Sequence, residues 1–265
     1  MKLYHRIFGE GPPLVILHGL YGSSDNWISV GRELSGSFTI ILPDLRNHGK
    51  SGWEKTMSYP EMAADIVALI RELSPGKVFL AGHSMGGKVA ALIALQYPEL
   101  LQGLIILDIS PFNNSSSASA VSEGHRAIIG CLSECERKRF IVRAEAEKYL
   151  KECTSSNSIG SFLAKNLQRG DNREFKIRMN LNSVKDNFEV IFSSALANHN
   201  NLPLPVTGFP VFFIKGSESP YLPKADYTGI LHYFPGTEFI EIRDAGHWLH
   251  AEKRDEVCNH FRRLL

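Results

Sequence analysis

The chain passes from an apolar, strand-like run, Val78-Phe79-Leu80-Ala81, into a helix-like one, Gly87-Lys88-Val89-Ala90-Ala91-Leu92, across only five residues, Gly82-His83-Ser84-Met85-Gly86. No other stretch restricts the fold as much. A serine on so sharp a turn takes a strained backbone conformation. Close packing leaves no room for side chains two places before or after it, which accounts for Gly82 and Gly86. The turn lifts the hydroxyl above a sheet and lays the following amides at a helix N-terminus, where negative charge is favoured. G-x-S-x-G in this strand–turn–helix setting predicts a nucleophile at Ser84. The plainer alternative is a glycine-rich turn whose serine only caps a helix.

The rest of the chain supplies the matching architecture. Apolar, β-branched runs alternate with amphipathic stretches, which predicts an α/β fold with a mainly parallel central sheet flanked by helices. The expected strands are Leu14–His18, Phe38–Leu42, Val78–Gly82, Leu104–Asp108, Val211–Lys215 and Phe239–Arg243. The expected helices are Tyr59–Leu73, Met85–Tyr97 and Ala251–Leu265. In the first of these, Met62, Ile66, Leu69, Ile70 and Leu73 recur at helical period, and Ser58 with Glu61 forms a capping-box pattern. The region 113–205 reads differently. It opens on the polar run Asn113-Asn114-Ser115-Ser116-Ser117 and closes on Leu202-Pro203-Leu204-Pro205, with helical, charge-rich segments such as Arg137–Lys151 and Val184–Asn198 between. This predicts an all-helical cap (113–205) inserted between two strands of a core formed by 1–112 and 206–265.

Composition excludes several function classes. Net charge is +1 with no long block of one sign, which argues against nucleic acid as a partner. No apolar run reaches the ~18 residues of a membrane helix, so no membrane association is expected. Met1–Arg6 contains no apolar signal core, which makes a cytoplasmic protein the expectation. The four cysteines, Cys131, Cys135, Cys153 and Cys258, read as small buried hydrophobes rather than as a disulfide framework. Cys131 and Cys135 would share a helix face near His125, but no metal is placed there.

Two further segments complete a site. His18-Gly19-Leu20-Tyr21-Gly22 ends the strand-like run Leu14–Leu17. In a nucleophile-elbow architecture such a loop gives one backbone N–H to an oxyanion hole and the residue after the serine gives the other, here Leu20 and Met85. His18 reads as a brace for that loop. Ala245-Gly246-His247-Trp248 follows the last expected strand, and a late histidine in a post-strand loop is the expected general base. His250 reads as a supporting or surface residue.

With these residues in hand, the chain resembles the α/β-hydrolase superfamily from end to end. The strings His18-Gly19-Leu20-Tyr21-Gly22-Ser23, Asp44-Leu45-Arg46-Asn47-His48-Gly49-Lys50-Ser51, Gly82–Lys88, Leu107-Asp108-Ile109-Ser110-Pro111 and Gly246–Lys253 are similar to small bacterial esterases of the YbfF type and their eukaryotic abhydrolase relatives. Asn47 stands where the wider superfamily has glycine. The Asp44–Ser51 loop reads as a structural turn held by Asp44 and Arg46, with His48 a candidate pocket residue.

One position departs from the family pattern. Many relatives carry the triad acid three residues after the glycine that ends the strand corresponding to Val211–Lys215; here that position is Ser219. Asp108, at the end of a strand expected beside the elbow strand, is the preferred acid. Glu218 is its rival, while Asp226 and Asp244 are expected to be turned to other uses.

The resemblance implies hydrolysis of a short to medium carboxylic ester or thioester, acyl-CoA included, through an acyl-serine intermediate. The partner is then a small-molecule substrate, and no cofactor is required. Carbon–carbon bond hydrolysis on the same fold and a non-catalytic ligand-binding homologue are the alternatives. Phe162, Leu167 and Phe188 are candidates for an acyl wall, with cap core as their plainer reading.

Overall fold

The computed structural model describes residues 1–112, 118–196 and 205–265. In chain order its strands and helices are β1 His5–Phe8, β2 Pro13–Leu17, α1 Ile28–Leu34, β3 Thr39–Pro43, α2 Tyr59–Leu73, β4 Val78–His83, α3 Met85–Gln96, β5 Leu101–Leu107, α4 Ala118–Arg137, α5 Arg143–Cys153, α6 Asn157–Ala164, β6 Leu167–Arg169, β7 Phe175–Ile177, α7 Leu181–Asp186, α8 Phe188–Phe192, β8 Val211–Gly216, α9 Tyr227–Tyr233, β9 Thr237–Ile242, α10 Leu249–Glu252 and α11 Arg254–Arg262. Seven strands form one sheet in the order β1-β3-β2-β4-β5-β8-β9. Only β1, at the edge, runs antiparallel to its neighbour.

Burial follows from this layering. Every residue of β4 is buried, as a strand covered on both faces requires, which is why it reads as a continuous apolar run rather than an alternating one. Helix α2 covers one face through Met62, Ile66, Leu69 and Ile70, and the predicted capping box at Ser58 and Glu61 is present. Residues such as Trp27, Leu34 and Phe261 pack against the other face. The expected C-terminal helix is two helices, α10 and α11, broken at Lys253.

All of α4–α8 falls between β5 and β8. These two strands are themselves neighbours, with Leu107 opposite Ile214. The insertion therefore leaves and re-enters the sheet at adjacent strand ends without disturbing the ladder. It is not all-helical: β6 and β7 form an antiparallel hairpin. The expected helix Arg137–Lys151 is divided between α4 and α5, and Val184–Asn198 between α7 and α8, with Asn187 between them. The connector Asn113–Ser117, residues 197 and 198 of that last helix, and the closing Leu202-Pro203-Leu204 lie outside the described residues.

The insertion is fastened to the core by polar side chains. Asn47 holds a positive φ of 67°, which asparagine tolerates better than most residues. Its side-chain amide donates to Ser183 Oγ (3.0 Å), and its Oδ1 accepts from Asn180 Nδ2 (3.1 Å). Its carbonyl accepts the Asn180 N–H (2.9 Å). A glycine would satisfy the backbone here but not the clamp. Asp44 and Arg46 hold the loop as expected: Asp44 accepts the amides of Ser24 and Lys50, and Arg46 donates to Asp65 (2.7 Å). His48 is buried beneath the insertion and, contrary to expectation, lines neither of the two cavities that reach Ser84; its ring is turned to the Arg46 carbonyl (3.0 Å).

Contrary to expectation, not all four cysteines are free buried hydrophobes. Cys131 and Cys153 form a disulfide between α4 and α5, whose packing brings their Cα atoms to 5.9 Å; Cys135 and Cys258 are the buried free thiols. Closing a loop of 22 residues contributes about 3 kcal/mol of stability on chain-entropy grounds. The Cys131→Ala/Cys153→Ala variant should lose that amount in urea denaturation, and reductant should bring the parent protein to the same midpoint. A parent protein indifferent to reductant, with four titratable thiols once unfolded, would contradict the bridge.

Candidate active site

Ser84 stands at the junction of β4 and α3 with φ 53° and ψ −121°, outside the helical and extended regions. Its amide is held by the Leu107 carbonyl on the neighbouring strand (3.0 Å). A Cβ on Gly82 would lie 2.2 Å from the Gly86 carbonyl oxygen, and one on Gly86 would lie 2.6 Å from that of Leu17. Neither position admits any other residue without moving backbone, so the spacing read from the sequence has a steric cause here. Met85 is the first residue of α3, where amides lack an intrahelical partner. Leu20, Ser84 and Met85 line a common space.

The acid follows β5 and the histidine follows β9, and the two meet across the end of β8, which lies between those strands. Asp108 follows β5 with a positive φ of 51° and is fully buried. Its Oδ1 accepts the Gly216 N–H at 3.0 Å, and its Oδ2 accepts from His247 Nδ1 at 2.7 Å and from the Ser219 hydroxyl. Ser219, at the position where many relatives carry an acid, thus touches the carboxylate supplied from the neighbouring strand. Glu218 is exposed and contributes a backbone bond to the Ala245 carbonyl. Asp226 is buried in the turn before α9, and Asp244 is exposed in its own positive-φ turn.

The His247 ring is positioned on two sides. Tyr221 stacks on it at 3.8 Å with an interplanar angle of 19°. Beneath it, His83 Nε2 donates to the His247 carbonyl (2.7 Å). With Nδ1–H committed to Asp108, Nε2 is left as the acceptor that a serine hydroxyl needs. Burial lowers the pKa of His83 well below the usual imidazole range, with His247 and His250 as lesser causes. It brings His125 and His250 to about 3, with His247 as a lesser cause. These rings stay neutral at physiological pH and place no fixed positive charge beside His247.

His18 braces its loop as expected, donating to the Gly19 carbonyl (2.8 Å) and accepting the Leu45 amide (3.0 Å). His250 is buried and stacked on Trp27 at 4.5 Å, so it is not a surface residue. His125, on α4, bonds the hydroxyls of Tyr21 (3.2 Å) and Tyr221 (3.0 Å), which engages both ring nitrogens.

Ser84 and His247 both face a largely apolar cavity of about 550 Å³ roofed by the insertion. Among the described residues no hydrogen bond joins the two, a contact that commonly tightens only when substrate binds. Of the three acyl-wall candidates only Phe162 lines this cavity, packed 5.6 Å from Trp248. Leu167 and Phe188 are buried in the insertion's own core. Tyr221, His125 and the Cys131–Cys153 bridge also line the cavity and were not singled out as site residues from sequence. Lys88 was missed as well, although a lysine heading the apolar run Val89–Leu95 is itself a visible signal.

The chain is similar to known proteins over most of its length. A family model described as the alpha/beta hydrolase fold matches residues 12–127. An sn-1-specific diacylglycerol lipase, ABHD11, of Xenopus tropicalis is 36% identical over 94% of this chain and 76% of its own length. The esterase YbfF of Escherichia coli is 30% identical over 96% of this chain and 92% of its own. A solved structure named as a marine microorganism esterase superposes with a TM-score of 0.91 at 35% identity, covering 100% of this chain and 99% of that one.

Proposed function

Because the chain belongs to the α/β-hydrolase family, we propose that this esterase/lipase-type enzyme cleaves carboxylic esters or thioesters through an acyl-serine intermediate on Ser84. His247 Nε2 takes the hydroxyl proton as Ser84 Oγ attacks the carbonyl carbon. The amides of Leu20 and Met85 hold the tetrahedral oxyanion, and the imidazolium returns its proton to the leaving alcohol or thiol. Water, deprotonated by the same imidazole, then releases the acid and restores Ser84. Asp108 holds the tautomer and offsets the charge on the ring. The observation that supports this reading most is the Asp108–His247 pair at 2.7 Å opening on the cavity that Ser84 faces.

Residues 113–205 act in this proposal as the cap that closes the cavity over cores 1–112 and 206–265. Short to medium acyl chains, acyl-CoA thioesters among them, suit a bounded apolar cavity better than emulsified lipid does. No described helix is long and apolar enough to cross a membrane. The test is labelling with a fluorophosphonate probe, mapped by mass spectrometry, followed by an aryl-ester series of increasing acyl length. Labelling at Ser84, turnover falling as the chain lengthens and no interfacial activation are expected. Activation on long-chain emulsions would overturn the chain-length reading. Turnover of a diketone without turnover of esters would favour carbon–carbon hydrolysis, and labelling without any turnover a ligand-binding homologue.

A further inference from the structure

The large cavity is not the sole space that reaches Ser84. A narrower lobe of about 70 Å³ also opens on it, sharing Leu20, Ser84 and Tyr221 with the first. His247 and the disulfide line only the large space; Tyr59, Lys88 and Ser110 line only the small one. A substrate whose carbonyl sits at Ser84 has its two arms divided between a roomy apolar chamber and a narrower one whose largely apolar wall carries the Lys88 ammonium.

Lys88 defines the small lobe. It lies one turn of α3 beyond Ser84, roughly 6 Å along the helix axis. Its side chain is buried, with 6% of the residue exposed. One of its three N–H donors is used, on the Ser193 carbonyl at 2.7 Å, and the ammonium stands 5.6 Å from the centre of the Tyr59 ring. Among the described residues no carboxylate lies within ion-pair distance of it, and residues 113–117 and 197–204 contain neither Asp nor Glu. An unpaired buried ammonium is expensive to maintain, and packing alone would be better served by Met or Leu. The cation is therefore placed where a substrate can supply the missing anion.

We propose that Lys88 binds a carboxylate carried on the short arm of the substrate, so that the preferred substrates are half-esters or half-thioesters of short dicarboxylic acids. This rests on the acyl-serine reading above and adds the chemical class of the acyl group. A lobe of about 70 Å³ leaves room for only a short spacer between the reacting carbonyl and the carboxylate.

The titratable neighbours make the idea readable in pH. Of the groups lining the small lobe, His125 titrates at about 3, Tyr221 at about 12, and burial pushes the Tyr59 hydroxyl still higher. Burial lowers Lys88 to about 8. It alone among them changes charge in the ordinary assay range.

The experiment compares monoethyl succinate with ethyl 4-methylpentanoate, whose branched end copies the carboxylate in shape but not in charge. The quantity read is the ratio of their kcat/KM values, whatever the absolute rates. The wild type should favour the half-ester. Lys88→Met should reduce the ratio about 10- to 100-fold, the range for a charge-assisted hydrogen bond, while Lys88→Arg keeps it. In the wild type the ratio should fall as pH rises through 8, because the ammonium binds carboxylate only while protonated; in Lys88→Arg it should stay flat. An equal loss on both esters in Lys88→Met would make Lys88 only a tether to Ser193, and a wild-type ratio indifferent to pH would also overturn the proposal. The pH arm stands even if Lys88→Met fails to fold. Loss of both activities in Ser84→Ala is expected in either case; its absence would overturn the acyl-serine reading instead.

Discussion

Ser84→Ala should lower kcat on any ester that the enzyme turns over by about 10⁴- to 10⁶-fold, leaving only the contribution of binding and the oxyanion amides. The substitution removes one oxygen atom. It leaves the strained turn, the Ser84 amide bond to Leu107 and both flanking glycines in place, so the protein should unfold at the same midpoint as its parent. Fluorophosphonate labelling should disappear with activity. A folded Ser84→Ala protein that keeps most of its esterase turnover would end the acyl-serine mechanism.

Asp108→Asn is expected to reduce kcat by about 10²- to 10⁴-fold while the fold survives. The asparagine oxygen can still accept the Gly216 N–H, and Ser219 can rotate to accept from the new amide. The amide nitrogen would then face His247 Nδ1, and two donors cannot share that contact. The ring must place its proton on Nε2, where it cannot take one from Ser84. The parallel change Glu218→Gln should alter kcat by no more than about threefold, since the side chain is exposed and its contact with the site is through backbone. Steady-state kinetics on the two purified variants decides between them. A crippled Glu218→Gln beside a nearly normal Asp108→Asn would transfer the acid role to position 218.

The elbow was legible from sequence because its cause is local: a steric conflict among neighbouring backbone atoms leaves glycine as the sole solution at positions 82 and 86. The role of Asp108 was legible at one remove, since its strand, β5, lies beside the elbow strand β4, which sets the carboxylate near the far side of the histidine. What could not be read was the use of Ser219, because a hydroxyl looks like a missing acid until the carboxylate beside it is seen. The insertion was read least well. The three-residue strands β6 and β7 carry too few positions to display an alternation, and periodicity in Leu167 and Phe188 reports burial but not whether it faces a cavity or a core. The Cys131–Cys153 bridge depends on how α4 packs against α5, which cysteine spacing does not encode. Its presence also bears on the cytoplasmic expectation, because such bridges persist chiefly in oxidising surroundings.

The clamp at Asn47 has a consequence for how members of this fold could trade parts. One residue there meets the insertion through its carbonyl, its amide nitrogen and its amide oxygen at once, on Asn180 and Ser183. A foreign insertion grafted between β5 and β8 would find the strand ends compatible but would leave the polar atoms of Asn47 without partners. A chimera should therefore assemble well only when the 44–51 loop travels with the insertion, so that the two segments, far apart in the gene, form a single heritable module.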